Sequence, residues 1–299
     1  MINYSIIIPH KNTPDLLQKC IDSIPHRDDV QIIVVDDHSD DDKVDFEHFP
    51  GVGEPNIEVY FMKEGKGAGY ARNIGLKHSV GKWLIFADAD DFFNPCINDI
   101  FDQCVNMSEN IAFFKADSIN LIDGSNGHRA DGLNIRIDIA LKISNFQPAL
   151  FYSSPWCKLF KHDFLEKNDI TFNEVRYGND IVFMAKVAVY SKNCRAIDKV
   201  AYCITCSKNS KSESRESVEI RLSQDIKAAG ILKRKFTFSR RDKYWFFFSW
   251  NNLYKIDKQK AIKYWFRMFS LFGMIFLYDT CLMLFKNTRH SIKNKLIKK

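Results

Sequence analysis

The sequence contains no apolar run long enough to cross a bilayer, which takes roughly 20 residues. The nearest approach, Leu271–Phe285, is about fifteen residues long and is interrupted by Asp279. Nor is a secretion leader expected. "MINYSIIIPHKN" has an apolar run of about four residues, no basic segment before it, and a proline at its end. The chain is therefore expected to stay in the cytoplasm. Its eight cysteines are scattered, and the one close pair, "CITC" at 203–206, has neither a second such pair nor nearby histidines. Zinc and redox chemistry are thereby disfavoured, and reduced cysteines are expected. The eight histidines show no metal-ligand spacing. No Gly-x-Ser-x-Gly or Cys–His arrangement suggests a covalent nucleophile. No internal repeat or low-complexity tract is visible.

What is present is a foldable chain with an uneven charge. Its 299 residues are 45% hydrophobic and carry a formal charge of +6, enough for one large domain or two modest ones. Acidic clusters lie in the first two hundred residues, and Lys and Arg dominate from about Lys211. Such asymmetry suggests an anionic partner for the tail, either nucleic acid or a membrane surface.

The first half alternates short apolar runs with helical patterns. Strands are expected at 4–9, 30–37, 57–62, 82–88 and 111–116. Helices are expected at 13–24, with Thr13 as cap and Pro14 in the first turn, and at 67–79. Continuous apolar strands alternating with helices imply a mainly parallel sheet covered by helices on both faces. In such sheets ligands sit beyond the carboxyl ends of the strands. There the sequence gathers its charge: "PHKN" after the first strand, "DDHSDDD" after the second and "DADD" after the fourth. "GKGAGYARNIGL" adds glycines that permit close backbone approach, followed by a helix start with positive potential. It lacks the GxxxxGK[ST] pattern, so a P-loop is rejected.

From about 211 the texture changes. A polar stretch, "SKNSKSESRESVEI", reads as a loop. Aromatic and basic helices follow at 236–255 and 260–299, which suit an in-plane helix at a membrane surface.

Five segments, "SIIIPHKN", "IIVVDDHSDD", "GKGAGYARNIGL", "WLIFADADDFF" and "SPWCKLFKHDFLEKNDITFNEVRYGNDIVF", occur in the order seen in family 2 inverting glycosyltransferases of the GT-A fold, which the chain thus resembles. The resemblance covers roughly residues 3–190. It implies a Rossmann-like GT-A catalytic domain over 1–210, which binds nucleotide-sugar and acceptor; the change of texture makes 211–299 a helical C-terminal region. The resemblance also implies site residues. Asp88 and Asp90 match the DxD motif, with Asp90 meeting a divalent cation, Mn²⁺ or Mg²⁺, and Asp88 reaching ribose or metal-bound water. Asp91 would cap or orient the next turn. One of Asp36 and Asp37 would accept the N3–H of uracil or thymine, Pro9 and His10 would line the base pocket, and Arg72 would face the base or the phosphates. Asn73 would hold its loop together. Asp180 of "YGND" would be the catalytic base, with Asn179 where the family usually has Glu, and Glu174 as its nearby rival. Trp156 and Asn179 would contact the acceptor, with Trp156 either a sugar platform or a buried support.

The implied partners are a nucleotide-sugar donor, most simply a UDP-sugar, and a glycan or lipid-linked acceptor, with the tail holding the enzyme peripherally at the inner face of the cell membrane. Nucleic acid is not expected, because the acids of the first half would repel phosphate. Two alternatives are a nucleotidyltransferase and a non-catalytic nucleotide-sugar-binding scaffold. "PHKNTPDLL" lacks the Gly-rich basic loop of the former, and the presence of Asp90 and Asp180 speaks against the latter.

Overall fold

The computed structural model describes residues 1–206, 215–238, 249–274 and 277–278. The expected polar loop at 207–214, residues 239–248 and most of the expected tail helix beyond Phe272 lie outside the described residues. Two compact units divide the chain, Met1–Ser212 and Glu213–Lys299.

The first unit is built on one eight-stranded sheet. Its strands are β1 (Tyr4–His10), β2 (Val30–Asp36), β3 (Ile57–Phe61), β4 (Trp83–Phe86), β5 (Phe92–Phe93), β6 (Ile111–Asn120), β7 (Lys158–Lys161) and β8 (Cys194–Cys206). Their spatial order is β3-β2-β1-β4-β7-β6-β8-β5. β3, β2, β1 and β4 form a parallel block. β7 then runs antiparallel to both β4 and β6, β8 is parallel to β6, and β5 is antiparallel to β8. The sheet is thus parallel over β3, β2, β1 and β4 and mixed beyond them, where β6 is the one strand expected from the sequence. Every residue of β1 and β2 is buried, as a central strand covered on both faces requires.

The helices of this unit are α1 (Pro14–Asp22), α2 (Ala68–His78), α3 (Ile97–Cys104), α4 (Asp131–Ile143), α5 (Gln147–Leu150), α6 (His162–Lys167) and α7 (Asn179–Tyr190). α1 buries Leu17, Cys20 and Ile21, the stripe its spacing predicts. Thr13 does not cap it with its side chain; its backbone N–H instead donates to His10 Nε2 at 3.0 Å. α2 lies so close to β1 that a Cβ at Gly75 would stand 2.3 Å from Ile7 Cγ2.

The strand order reverses at β1, whose neighbours are β2 on one side and β4 on the other. Splayed strand ends at such a switch point leave a crevice. Its rim is formed by the residues after His10, Asp36 and Phe86.

The second unit contains α8 (Arg215–Leu232), a helical stretch at 249–256 and α9 (Lys258–Phe272). The sequence reading of 207–220 as a loop is corrected from 215 onward, where Val218 and Leu222 are buried on α8. Asp257 caps α9, its carboxylate accepting the Lys260 N–H at 3.1 Å. Lys260 also pairs with Glu219. The Trp250 indole donates to Ala261 O at 2.8 Å. α9 leaves Ile262 and Phe266 exposed, one helical turn apart, beside Lys263 and Arg267. Among the described residues no helix is long and apolar enough to cross a membrane.

Candidate functional site

At the end of β4 the chain turns sharply through Asp88, Asp90 and Asp91, whose carboxylate oxygens lie within 4.8 Å of one another. Three mutually repelling acids stay together here because the surrounding structure grips them separately. Asp88 Oδ1 accepts from Arg72 Nη2 at 2.6 Å. Asp91 is buried, and one of its oxygens accepts the Thr205 N–H at 2.8 Å. The Thr205 hydroxyl donates to Asp90 O at 2.7 Å. Tyr202 links two of the acids: its hydroxyl accepts the Asp88 N–H at 3.0 Å and donates to the Asp91 carboxylate. Burial pushes the Tyr202 phenol well above its ordinary value, so it remains a donor. Burial, compounded by the charges of Asp88 and Asp90, also pushes the Asp91 carboxyl well above the usual carboxylate range. Asp90 is the exposed member of the three. An all-carboxylate donor set of this size fits a hard divalent cation such as Mg²⁺ or Mn²⁺.

Sequence reasoning misses Tyr202 and Thr205. They are 114 positions from the acids they bind, and "AYCITC" carries no mark of that role beyond the alternation of a strand. Cys203 and Cys206 lie unbridged within β8.

Arg72, on α2, is only 6% exposed. Besides Asp88, it donates from Nη1 to Asn179 Oδ1 at 2.9 Å. Its guanidinium lies 5.4 Å from the Phe172 ring centroid, and its Nε is a buried donor without a partner. Gly69 lets α2 approach this region: a Cβ there would stand 2.4 Å from Asn173 O and 2.8 Å from Asn179 Cβ. Asn73 fastens the 172–174 segment rather than its own glycine loop, bonding Phe172 N, Phe172 O and Glu174 Oε1 at 2.9–3.2 Å. Asn179 opens α7, so Asp180 sits half-buried in that helix's first turn, where outward-pointing backbone N–H groups favour negative charge.

Several expected ligand contacts turn out to be internal. His10 Nδ1 donates to Asp36 Oδ1 at 2.7 Å while Nε2 accepts from Thr13 N. With His10 2% and Asp36 1% exposed, this pair locks the ends of β1 and β2 together. Pro9 is buried within β1. Burial raises the Asp36 pKa, but the hydrogen bonds from His10 and Ser39 outweigh it and hold the carboxyl below the usual range. Asp37 grips the glycine loop, its two oxygens accepting Lys66 N and Gly67 N at 2.8 Å each. Trp156 is 4% exposed, stacked against Tyr202 with centroids 6.3 Å apart. It is a buried support rather than an open platform for a sugar. Asn179 is likewise buried on Arg72 rather than turned toward an acceptor. Beside Trp156, Cys157 takes a left-handed backbone (φ 59°) and Lys158 is fully buried. The Lys158 ammonium donates to Ser154 O at 2.6 Å and Trp156 O at 3.3 Å. Burial pushes its pKa down to about 8, against the opposing pull of Cys157 and Asp180.

An acidic turn beside a forked arginine, beyond the carboxyl ends of the strands where the sheet order reverses, is an arrangement of the GT-A kind. The family model described as "Glycosyl transferase family 2" matches residues 5–168, and the chain belongs to that family. Among curated relatives it is 28% identical over 195 residues to a poly(ribitol-phosphate) beta-glucosyltransferase of Bacillus spizizenii, covering 63% of this chain and 30% of that one. It is 26% identical over 207 residues to the poly(ribitol-phosphate) beta-N-acetylglucosaminyltransferase TarP of Staphylococcus aureus, covering 64% and 59%. The chain thus spans less than two thirds of the length of these relatives. Residues 1–349 of S. aureus TarS, whose crystal structure superposes with a TM-score of 0.64 at 18% identity, share the fold over 92% of this chain and 82% of that one. The same fragment has been solved with UDP-GlcNAc, with a TM-score of 0.64, 18% identity and coverage of 90% and 82%.

Proposed function

We propose that this protein is an inverting glycosyltransferase that moves a sugar from a UDP-sugar to a hydroxyl of a growing glycan or lipid-linked oligosaccharide. The observation that carries this reading is the convergence, through Arg72, of the Asp88–Asp90–Asp91 turn and the first turn of α7 that holds Asp180. An acceptor hydroxyl is a weak nucleophile at neutral pH and needs a base within reach as it attacks. Asp180 is that base, and inversion requires it to stand opposite the leaving diphosphate. Asp90 and Asp88, with Asp91 beside them, would hold Mn²⁺ or Mg²⁺. When bound, such a cation supplies charge stabilisation to a diphosphate that carboxylates alone would repel. Arg72 contributes a fixed positive charge at the same edge. UDP as the donor nucleotide is supported by the TarS fragment's complex with UDP-GlcNAc.

The wider setting belongs to the same proposal. Residues 1–210 form the catalytic domain. The C-terminal region rests peripherally on the anionic inner face of the cell membrane, where lipid-linked glycans are assembled. Exposed Ile262 and Phe266 beside Lys263 and Arg267 support that reading.

A screen of nucleotide-sugars with Mn²⁺ is expected to give UDP release from at least one UDP-sugar. EDTA or Asp90→Asn should abolish it. Asp180→Asn should keep UDP affinity and lose transfer by about 10²-fold or more. Full activity in EDTA would sink the metal assignment, and an unchanged rate in Asp180→Asn would move the base elsewhere.

A further inference from the structure

We infer that Arg72 and Asn179 form a positioning pair that sets the catalytic base against the donor, and that Asn179 is therefore not an acceptor-binding residue. The inference deepens the transferase reading and rests on it. Arg72 hydrogen-bonds to both halves of the candidate centre: Asp88 at 2.6 Å on the donor side and Asn179 at 2.9 Å on the base side. A guanidinium is planar, and its donors are fixed in a fork, so satisfying both acceptors fixes the distance and the angle between them. The fork is itself held. Phe172 lies under it, and the guanidinium is itself buried. Asn73, next in sequence, ties the segment leading into α7 to the same helix with three hydrogen bonds. α2 therefore acts as a common base plate for the acidic turn and for the start of α7.

The amide at 179 has a chemical consequence. It accepts one hydrogen bond without bringing charge, so the guanidinium's charge is answered by Asp88. A Glu at this position would set two carboxylates competing for one buried cation. Neither Arg72 nor Asn179 needs to touch the acceptor for this arrangement to matter. Asp180 is the next residue on α7, and a displacement of the helix start by about 1 Å is enough to cost on the order of 10²-fold in rate.

Steady-state kinetics on the full chain, with UDP-sugar and Mn²⁺, test the pair. Asn179→Ala is expected to lower kcat by about 10- to 100-fold while the donor KM and the affinity for UDP with Mn²⁺ stay within about threefold. The double variant Arg72→Lys/Asn179→Ala should be no slower than the slower single variant, because both break one linkage. Asn179→Ser, which keeps a hydroxyl acceptor, should recover part of the rate and serves in place of Asn179→Ala should that variant fail to fold. An unchanged kcat, effects that multiply in the double variant, or a selective rise in acceptor KM would overturn the pair. Wild-type protein that neither binds UDP with Mn²⁺ nor releases it from any UDP-sugar would overturn the transferase reading, and this inference with it.

Discussion

Lys158 shows at the scale of one residue how burial converts a common side chain into a pH-dependent liability. Its ammonium is fully enclosed, satisfied by two backbone carbonyls and the faces of Phe113 and Tyr152. The folded pKa of about 8 lies below the ordinary lysine value of 10.5. Between those values the unfolded chain binds the extra proton, so this residue's contribution to stability rises with pH across the window from 8 to 10.5. Below the folded value both states are protonated and the full cost of the buried charge is felt. Urea unfolding of wild type and Lys158→Met at about pH 7.5 and about pH 10 is expected to show the wild type gaining on the variant by up to about 3 kcal/mol. A difference that stays flat between the two pH values would show that the ammonium is not desolvated in solution.

Single residues also mark where sequence reading succeeds and fails. Asp88, Asp90 and Asp91 are legible because a buried strand running into three acids demands a cation or a clamp to hold them together. The resemblance sets His10 in the lining of a base pocket and one of Asp36 and Asp37 on the base; in the structure His10 and Asp36 bond each other at 2.7 Å. The residue types that recognise a nucleobase are the ones that cap and cross-link strand ends, and a pairing across 26 residues leaves no local trace. Asn179 stands out in the sequence as a departure from the family's usual Glu; its partner Arg72, 107 residues away, does not.

At the scale of the element, β1, β2 and β4 are legible because strands buried on both faces are written as continuous apolar runs. β7 and β5, at four and two residues, are too short to carry a period. β8 opens as "CRAIDKV", where buried and exposed positions mix. In the mixed half only β6, which opens on the apolar run expected at 111–116, is legible, while the parallel half is plain. The packing of α2 on β1 can be tested directly. Gly75→Ala gains up to about 1 kcal/mol in helix propensity, but its Cβ would meet a buried β-branched side chain at 2.3 Å in a central strand that cannot retreat. The steric cost, about 1–3 kcal/mol net, should win. Thermal unfolding is expected to show Tm lowered by about 3–10 °C; a Tm equal to or above wild type would mean that α2 can lift off β1 at no cost.

On the scale of the molecule, the proposed membrane contact rests on the surface of the second unit. The second unit displays Ile262 and Phe266 among basic residues. Each apolar side chain that enters an interface is worth roughly 1.5–3 kcal/mol when fully buried, so the combined change Ile262→Ser/Phe266→Ser should weaken cosedimentation with phosphatidylglycerol vesicles by about tenfold or more. Equal binding by the variant would remove these residues from any membrane contact. The sequence announces this surface only as an aromatic and basic stretch at 260–299; the helical phase of α9 brings the two side chains onto one side.

The fastening of the acidic turn by β8 has a consequence for the life of the chain on the ribosome. The turn is complete once Asp91 is translated, but the backbone amide and hydroxyl that secure it belong to Thr205, 114 residues later. A nascent chain halted anywhere between those points carries a cluster of carboxylates with its clamp unmade. Long-range closures of this kind come late in folding, since the intervening loop must be ordered first. The proposed donor site should therefore be completed only late in synthesis, once β8 has emerged.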